Sequence, residues 1–321
     1  MMTDEELEQM HKKEQAELYI NTQKGGVKKI QVLGQEMAYQ WRSDVQNIRD
    51  VALDRMRISS LGEKDTIRNC IPGAMILYLD KNLLYSWDQY FEIIKQLGYL
   101  RSFILTGNKF KRLEKDYFKD KDINQLIHTN LHELVLIDMA LDWEQIDILS
   151  PVLCYVEQLH LVKNNCSTIL SQYKLPKEEF KLMKFINLEA NGIQSWDEIS
   201  DFRNLPNLRR LTLNKNPIKK VTYKPGWREL IMLSMEDCEI DNWNSFDQLN
   251  EFPQLKQLRV NNNPILKEEF GGNKAREFAI ARVQFVYIFN GSTLEECTRR
   301  DYEILYMKEA YKQFLEAIGD S

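Results

Sequence analysis

A chain of 321 residues with 43% apolar and 28% charged side chains has the makeup of a globular protein of one to three domains. The net charge of −5 is too mild to argue for nucleic acid or a membrane surface. No apolar run approaches the ~18 residues of a membrane span, and the acidic start is not a signal peptide.

In chain order, residues 1–20 read as a charged helix, with Thr3 and Glu6 at capping-box spacing and a thin apolar face of Leu7, Met10 and Leu18. Gly25 and Gly26 break it, and 27–32 reads as a short strand able to cover the open edge of a neighbouring strand.

From residue 48 one spacing recurs: apolar, two residues, apolar, one residue, apolar, two residues, a turn residue, one residue, apolar. The units run Ile48, Val51, Leu53, Met56, Ile58; Ala74, Leu77, Leu79, Asn82, Leu84; and Leu100, Phe103, Leu105, Asn108, Phe110. Next come Leu131, Leu134, Leu136, Met139, Leu141; Val156, Leu159, Leu161, Asn164, Cys166; and Met183, Ile186, Leu188, Asn191, Ile193. Leu208, Leu211, Leu213, Asn216, Ile218, then Leu230, Leu233, Met235, Cys238, Ile240, then Leu255, Leu258, Val260, Asn263, Ile265 complete nine units, with turns 22 to 31 residues apart. The x-L-x-L-x part alternates like a strand, and an asparagine at the turn can satisfy backbone groups left unpaired there. One such coil cannot bury its own apolar face, so copies must stack. The pattern is that of the leucine-rich repeat.

Four inter-turn segments begin Ser86-Trp87-Asp88-Gln89, Asp142-Trp143-Glu144-Gln145, Ser195-Trp196-Asp197-Glu198 and Asn242-Trp243-Asn244-Ser245. Ser, Asp or Asn at the first place is a helix N-cap, so the convex side is expected to carry helices with the tryptophans packed as a column at their first turns. After Ile265 the pattern changes. Residues 275–288 read as an amphipathic helix, Asn290-Gly291 as a turn, and Thr293 as the opening of a last helix whose apolar stripe, Tyr302, Leu305, Tyr306, Ala310, Tyr311, Phe314 and Ile318, is expected to pack on the cap.

The fold expected is therefore an α/β leucine-rich-repeat solenoid, or horseshoe, of about nine repeats, with a parallel concave sheet, convex helices and a helical C-terminal cap. Its regions are 1–47 (charged helix and N-cap), 48–270 (repeats) and 271–321 (cap and terminal helix).

More specific features also stand out. Leu61-Gly62-Glu63-Lys64 and the run from Leu79-Asp80-Lys81 to Tyr85-Ser86-Trp87 resemble the entry to the leucine-rich-repeat region of tubulin-folding cofactor E. Asn262-Asn263-Pro264, Ala275-Arg276, Asn290 and Arg299-Arg300-Asp301-Tyr302 resemble its end, so the likeness covers roughly residues 27–316. The resemblance implies binding of α-tubulin and a part in assembling or dismantling the tubulin heterodimer, in the cytoplasm and at the cytoskeleton. The family's full form also carries a CAP-Gly domain and a ubiquitin-like domain. Neither is read in this sequence, so the expectation is a cofactor-E-like relative lacking both. A second reading stays open: a structural leucine-rich-repeat scaffold of ciliary axonemal microtubules.

Catalysis has little support. The histidines are His11, His128, His132 and His160, with no cysteine or carboxylate at metal-ligand spacing and no nucleophile elbow or phosphate-binding glycine loop. Neither a metal nor a cofactor is expected. The five cysteines are odd in number and scattered, which suits reduced packing residues in the cytosol.

Binding has more support. Residues flanking the strand leucines point to the concave face, where Ile76, Tyr78, Ile104, Val135, Ile137 and Val162 form an apolar run across four repeats, followed by Phe185, Arg210, Met232 and Arg259. A partner protein, tubulin or a microtubule-associated protein, is expected there. Between Phe202 and Arg228 there are eight basic residues and no acid: Arg203, Arg209, Arg210, Lys215, Lys219, Lys220, Lys224 and Arg228. These are expected to suit an acidic partner such as a tubulin tail.

Overall fold

In the computed structural model, which describes residues 19–21, 27–29, 47–169, 178–267 and 274–319, each x-L-x-L-x segment forms a strand of three residues. After β1 (Tyr19–Asn21) and β2 (Val27–Lys29) come β3 (Asp50–Ala52), β4 (Ile76–Tyr78), β5 (Ser102–Ile104), β6 (Glu133–Val135) and β7 (Gln158–His160). β8 (Phe185–Asn187), β9 (Arg210–Thr212), β10 (Met232–Ser234) and β11 (Gln257–Arg259) complete the nine repeats. Neighbours from β3 to β11 pair in parallel and in chain order, so equivalent residues of successive repeats lie side by side. The middle residue of each strand (Val51, Leu77, Phe103, Leu134, Leu159, Ile186, Leu211, Leu233, Leu258) turns inward and is buried. Each such side chain contributes about 2 kcal/mol.

The turn asparagines hold the coils together. Asn164 is buried; its Nδ2 donates to Leu136 O of the preceding repeat (2.6 Å), and its Oδ1 accepts from Met139 N (3.0 Å) and Leu141 N (3.1 Å). Asn216 repeats the arrangement with Leu188 O (2.9 Å), Asn191 N (3.0 Å) and Ile193 N (3.0 Å). Asn82, Asn191 and Asn263 likewise reach back one repeat in both senses. Where cysteine replaces asparagine, only the weak thiol donor remains: Cys238 Sγ lies 3.4 Å from Leu213 O.

The residue just before each turn position is left-handed throughout: Arg55, Lys81, Gly107, Asp138, Lys163, Ala190, Lys215, Asp237 and Asn262 have φ between 51° and 74°. For a side-chain-bearing residue this costs about 1 kcal/mol or more. The return is a backbone bond: the N–H of each of the first eight donates to a carbonyl of the following repeat, as Lys81 N does to Thr106 O (2.7 Å).

On the other side of the array, α1 (Thr66–Cys70) precedes α2 (Trp87–Gln96), where Ser86 and Gln89 form the expected capping box. α3 (Trp143–Leu149) is capped by Asp142, whose side chain accepts from Gln145 N. Two helix expectations need correction. Trp196–Asn204 is a 3-10 helix, though Ser195 caps it, and α4 (Asn244–Leu249) starts one residue after Trp243. Trp87, Trp143 and Trp196 are buried, but Trp243 is only half-buried. The tryptophans do not stack on one another alone. Trp143 meets Phe180 and Phe202, and Trp196 meets Trp227 and Phe252, so aromatic residues of later segments interleave.

The ends differ from expectation. Residues 19–20 belong to a strand rather than a helix, and Val27–Lys29 pairs antiparallel with Tyr19–Asn21 in a two-stranded sheet of its own. The rest of the first-helix reading, residues 1–18, lies outside the described residues. In the first repeat only Val51 is buried; Met56, read as its turn residue, is 64% exposed. At the far end α5 covers Ala275–Arg282 and stops there, because β12 (Ile288–Phe289) joins β11 in parallel as a tenth coil. Asn290, in register with Arg259 and not with the turn asparagines, ties this coil on by its side chain, Oδ1 accepting from Val260 N (2.8 Å). β13 (Ser292–Thr293) then folds back on β12, so the last helix, α6 (Glu296–Gly319), begins after Thr293 and not at it. Of its expected stripe, Tyr306 packs on Phe278 and Arg282, whereas Tyr311 and Phe314 are exposed. The chain divides into two units, residues 1–48 and 49–321.

Candidate protein-binding face

The first and last residues of each strand point away from the core and form two straight rows on the strand face. One row runs Asp50, Ile76, Ser102, Glu133, Gln158, Phe185, Arg210, Met232, Gln257; the other runs Ala52, Tyr78, Ile104, Val135, His160, Asn187, Thr212, Ser234, Arg259. Ile76, Tyr78 and Ile104 are half-buried, Val135 is buried, and Ile137 and Val162 just beyond the strands are half-buried. They occupy one block over β4 to β7. Phe185 and Arg210 are brought together on adjacent strands, with the guanidinium 4.4 Å above the ring. Met232 is the in-register neighbour of Arg210, while the exposed Arg259 stands apart at β11, separated from the apolar block by His160, Asn187, Thr212 and Ser234.

From β5 to β9 a polar chain runs across strands that also carry the apolar block, and of it the expected site included only Phe185 and Arg210. Ser102 Oγ donates to Glu133 Oε2 (2.7 Å), and His160 Nε2 lies 3.3 Å from Glu133 Oε1. His160 meets the Phe185 ring edge-on at 5.1 Å, and Arg210 Nη2 donates to Gln158 Oε1 (3.2 Å). Burial pushes the His160 imidazole below its ordinary value; Glu133 opposes this and Arg210 adds to it. The carboxylate stands between hydroxyl and imidazole, so Ser102 has no imidazole base beside it, as a serine nucleophile would require. The signal was available, because these residues occupy neighbouring places in the two rows. Among the described residues no group of three or more His, Cys, Asp or Glu side chains could hold a metal ion.

The basic run between 202 and 228 does not assemble into one patch. Lys215 reaches Glu189 (2.5 Å), Lys224 reaches Asp197 (2.8 Å), Arg203 reaches Asp201 (3.4 Å) and Lys219 lies 4.0 Å from Glu239. All four neutralising acids except Asp201 come from other repeats. Arg203 and Arg228 line a hollow of about 650 Å³ with Pro206 and Pro225, whereas Arg210 is on the strand face. Arg209 and Lys220 are exposed. No described helix is long and apolar enough to cross a membrane.

No protein-family model matches the chain. It is 29% identical over 319 residues to Tubulin-folding cofactor E of Arabidopsis thaliana, covering 96% of this chain and 59% of that protein. It is 28% identical over 289 residues to Tubulin-specific chaperone E of Danio rerio, covering 87% of this chain and 53% of that protein. The chain thus spans just over half the length of these relatives. Among solved structures, the TLR13-ssRNA13 complex aligns with a TM-score of 0.51 and 23% identity over 76% of this chain and 33% of that one, a likeness of fold alone. This chain is a leucine-rich-repeat solenoid, similar over nearly all of its length to a stretch of tubulin-folding cofactor E.

Proposed function

We propose that this chain is a non-catalytic tubulin-binding protein that takes part in tubulin folding, holding α-tubulin on the strand face of its repeats and so assembling or dismantling the heterodimer. The observation that carries the reading is the likeness to cofactor E and chaperone E along 96% and 87% of the chain. The strand face is supported as the contact by its block of Ile76, Tyr78, Ile104, Val135, Ile137 and Val162, apolar side chains of which all but the buried Val135 are half-exposed. Phe185 under Arg210 extends it with a flat cationic surface suited to a carboxylate, and Met232 and Arg259 lie further along. Nine strands at about 4.8 Å give a sheet roughly 40 Å long, matched to a globular domain rather than a short peptide. The cytoplasm and the cytoskeleton are where such a partner is met. The basic residues Arg203, Arg209, Lys215, Lys219, Lys220, Lys224 and Arg228 contribute less to this reading, since acids of the same chain already engage four of them.

The test is a pull-down of soluble tubulin by the full chain beside the Tyr78→Asp/Ile104→Asp variant. The parent retains the dimer and lowers polymer mass, and the variant, folded by circular dichroism, loses about tenfold or more in affinity, as central contacts do. Undiminished binding by the folded variant removes the strand face from the proposal. Co-sedimentation with polymer at unchanged polymer mass would instead identify a lattice component such as an axonemal scaffold.

A further inference from the structure

A different surface carries an independent inference. The loops after the strands of the first three repeats form a small grid. One position before the turn stand Arg55, Lys81 and Gly107; one position after it stand Arg57, Leu83 and Lys109; two further on stand Ser59, Tyr85 and Lys111. Backbone bonds hold the grid in register: Leu83 N donates to Ile58 O (2.9 Å), and Lys111 N to Tyr85 O (2.8 Å).

Its centre is apolar and open, with Leu83 56% and Tyr85 49% exposed. Its rim is cationic. No described carboxylate lies within 4.0 Å of the charged groups of Arg55, Arg57, Lys81, Lys109 or Lys111. Lys111 Nζ instead lies 5.2 Å from the Tyr85 ring. Of the neighbouring acids, Asp80 is near enough to Lys81 to feel its charge, while its Oδ1 accepts from Thr106 N (2.9 Å) and Asp54 Oδ1 accepts from Asp80 N (3.1 Å). In a chain of net charge −5, Arg55, Arg57, Lys109 and Lys111, none with a described carboxylate within 4.0 Å, and Lys81, which only neighbours Asp80, surround two exposed apolar side chains, in contrast with the run 203–228, where acids engage four cations.

We infer that this loop edge is a docking site for an acidic polypeptide segment carrying an apolar anchor, whose carboxylates meet the arginine and lysine rim while its anchor covers Leu83 and Tyr85. The charge complementarity selects an acidic partner, and the exposed centre selects one with an apolar side chain among its acids. Adjacent repeats are spaced at about 4.8 Å, so three repeats present a patch sized for a short segment rather than a folded domain.

The experiment titrates the full chain against a fluorescent glutamate-rich peptide bearing one central phenylalanine and monitors anisotropy. Lys81→Glu/Lys109→Glu is expected to weaken binding about tenfold or more, and added salt to weaken it in the parent. Leu83→Ser/Tyr85→Ser is expected to weaken it about threefold, the loss of a modest apolar contact. Lys308→Glu/Lys312→Glu, on exposed positions of α6, leaves it unchanged. All these side chains are exposed or partly so, and matching thermal melts confirm the fold. Equal affinity of parent and Lys81→Glu/Lys109→Glu overturns the inference, as does an equal loss in Lys308→Glu/Lys312→Glu. Oligo-dT that binds as tightly as the peptide and is lost in the same variant also overturns it, by assigning the edge to nucleic acid.

Discussion

At β11 the array is closed by a tenth coil: β12 takes up the open strand edge, the Asn290 side chain accepts from Val260 N, and Phe289 is fully buried. Arg299 then ties α6 to the end of α5 by donating to Ile280 O (3.1 Å) and Val283 O (3.2 Å), with a third bond to Val286 O. At β3 the repeat is thin. Val51 is buried, Ile48, Leu53 and Ile58 are half-buried, and Met56 has left the turn-core position for solvent. The difference shows what a coil gains from a neighbour on its C-terminal side. Asparagines reach back one repeat, so the last coil needs a successor to serve it, while the first has no asparagine of its own to place.

Truncating a side chain at each end breaks this contrast most directly. Phe289→Ala should cost about 3–5 kcal/mol in urea unfolding, and Leu53→Ala about 1 kcal/mol, because only the former leaves a closed cavity. Equal costs would mean the two ends are equally well packed. Asn290→Ala should cost about 1–2 kcal/mol, since it orphans the Val260 N–H and places alanine in a left-handed turn at φ 51°. Hydrogen exchange should then quicken at β11 and leave β4 unaffected.

Two half-buried histidines make the repeats around β6 and β7 sensitive to mild acid. Burial holds His128 and His160 below the ordinary histidine value of 6.5. A depressed folded value means the unfolded chain takes up protons first, so this stability is present above 6.5 and is lost as pH falls below it. His128→Gln/His160→Gln should flatten that part of the urea-midpoint profile, and an unchanged slope would refute the assignment. The smallest effect belongs to Met56→Ala, expected within about 0.5 kcal/mol of the parent because the side chain is already in water.

The strand rows were legible in the sequence, since the L-x-L spacing that fixes Leu77, Phe103 or Leu211 inward fixes their neighbours outward. The asparagine ladder and the Ser86 and Asp142 caps were legible for the same reason: each is a local rule with one geometric solution. β12 was not, because Phe278, Ala281, Val283 and Phe285 keep near-helical spacing, and only a strand edge some thirty residues earlier recruits Ile288 and Phe289. The pairing of Lys215 with Glu189 or Lys224 with Asp197 was equally hidden. A run of like charge along the chain carries no record of what the previous coil sets beside it. The first coil forms as its spacing requires, but Met56 is 64% exposed where Met139, at the same place in the fourth coil, is 2% exposed, because β3 is the terminal strand of the sheet.

A stack in which every coil leans on the next converts occupancy into rigidity. A ligand seated on the early strands or on the loop edge beside them would still the thinnest part of the molecule. Its arrival would therefore be reported by slowed amide exchange around Val51, even though the solvent-exposed side chains it grips lie elsewhere.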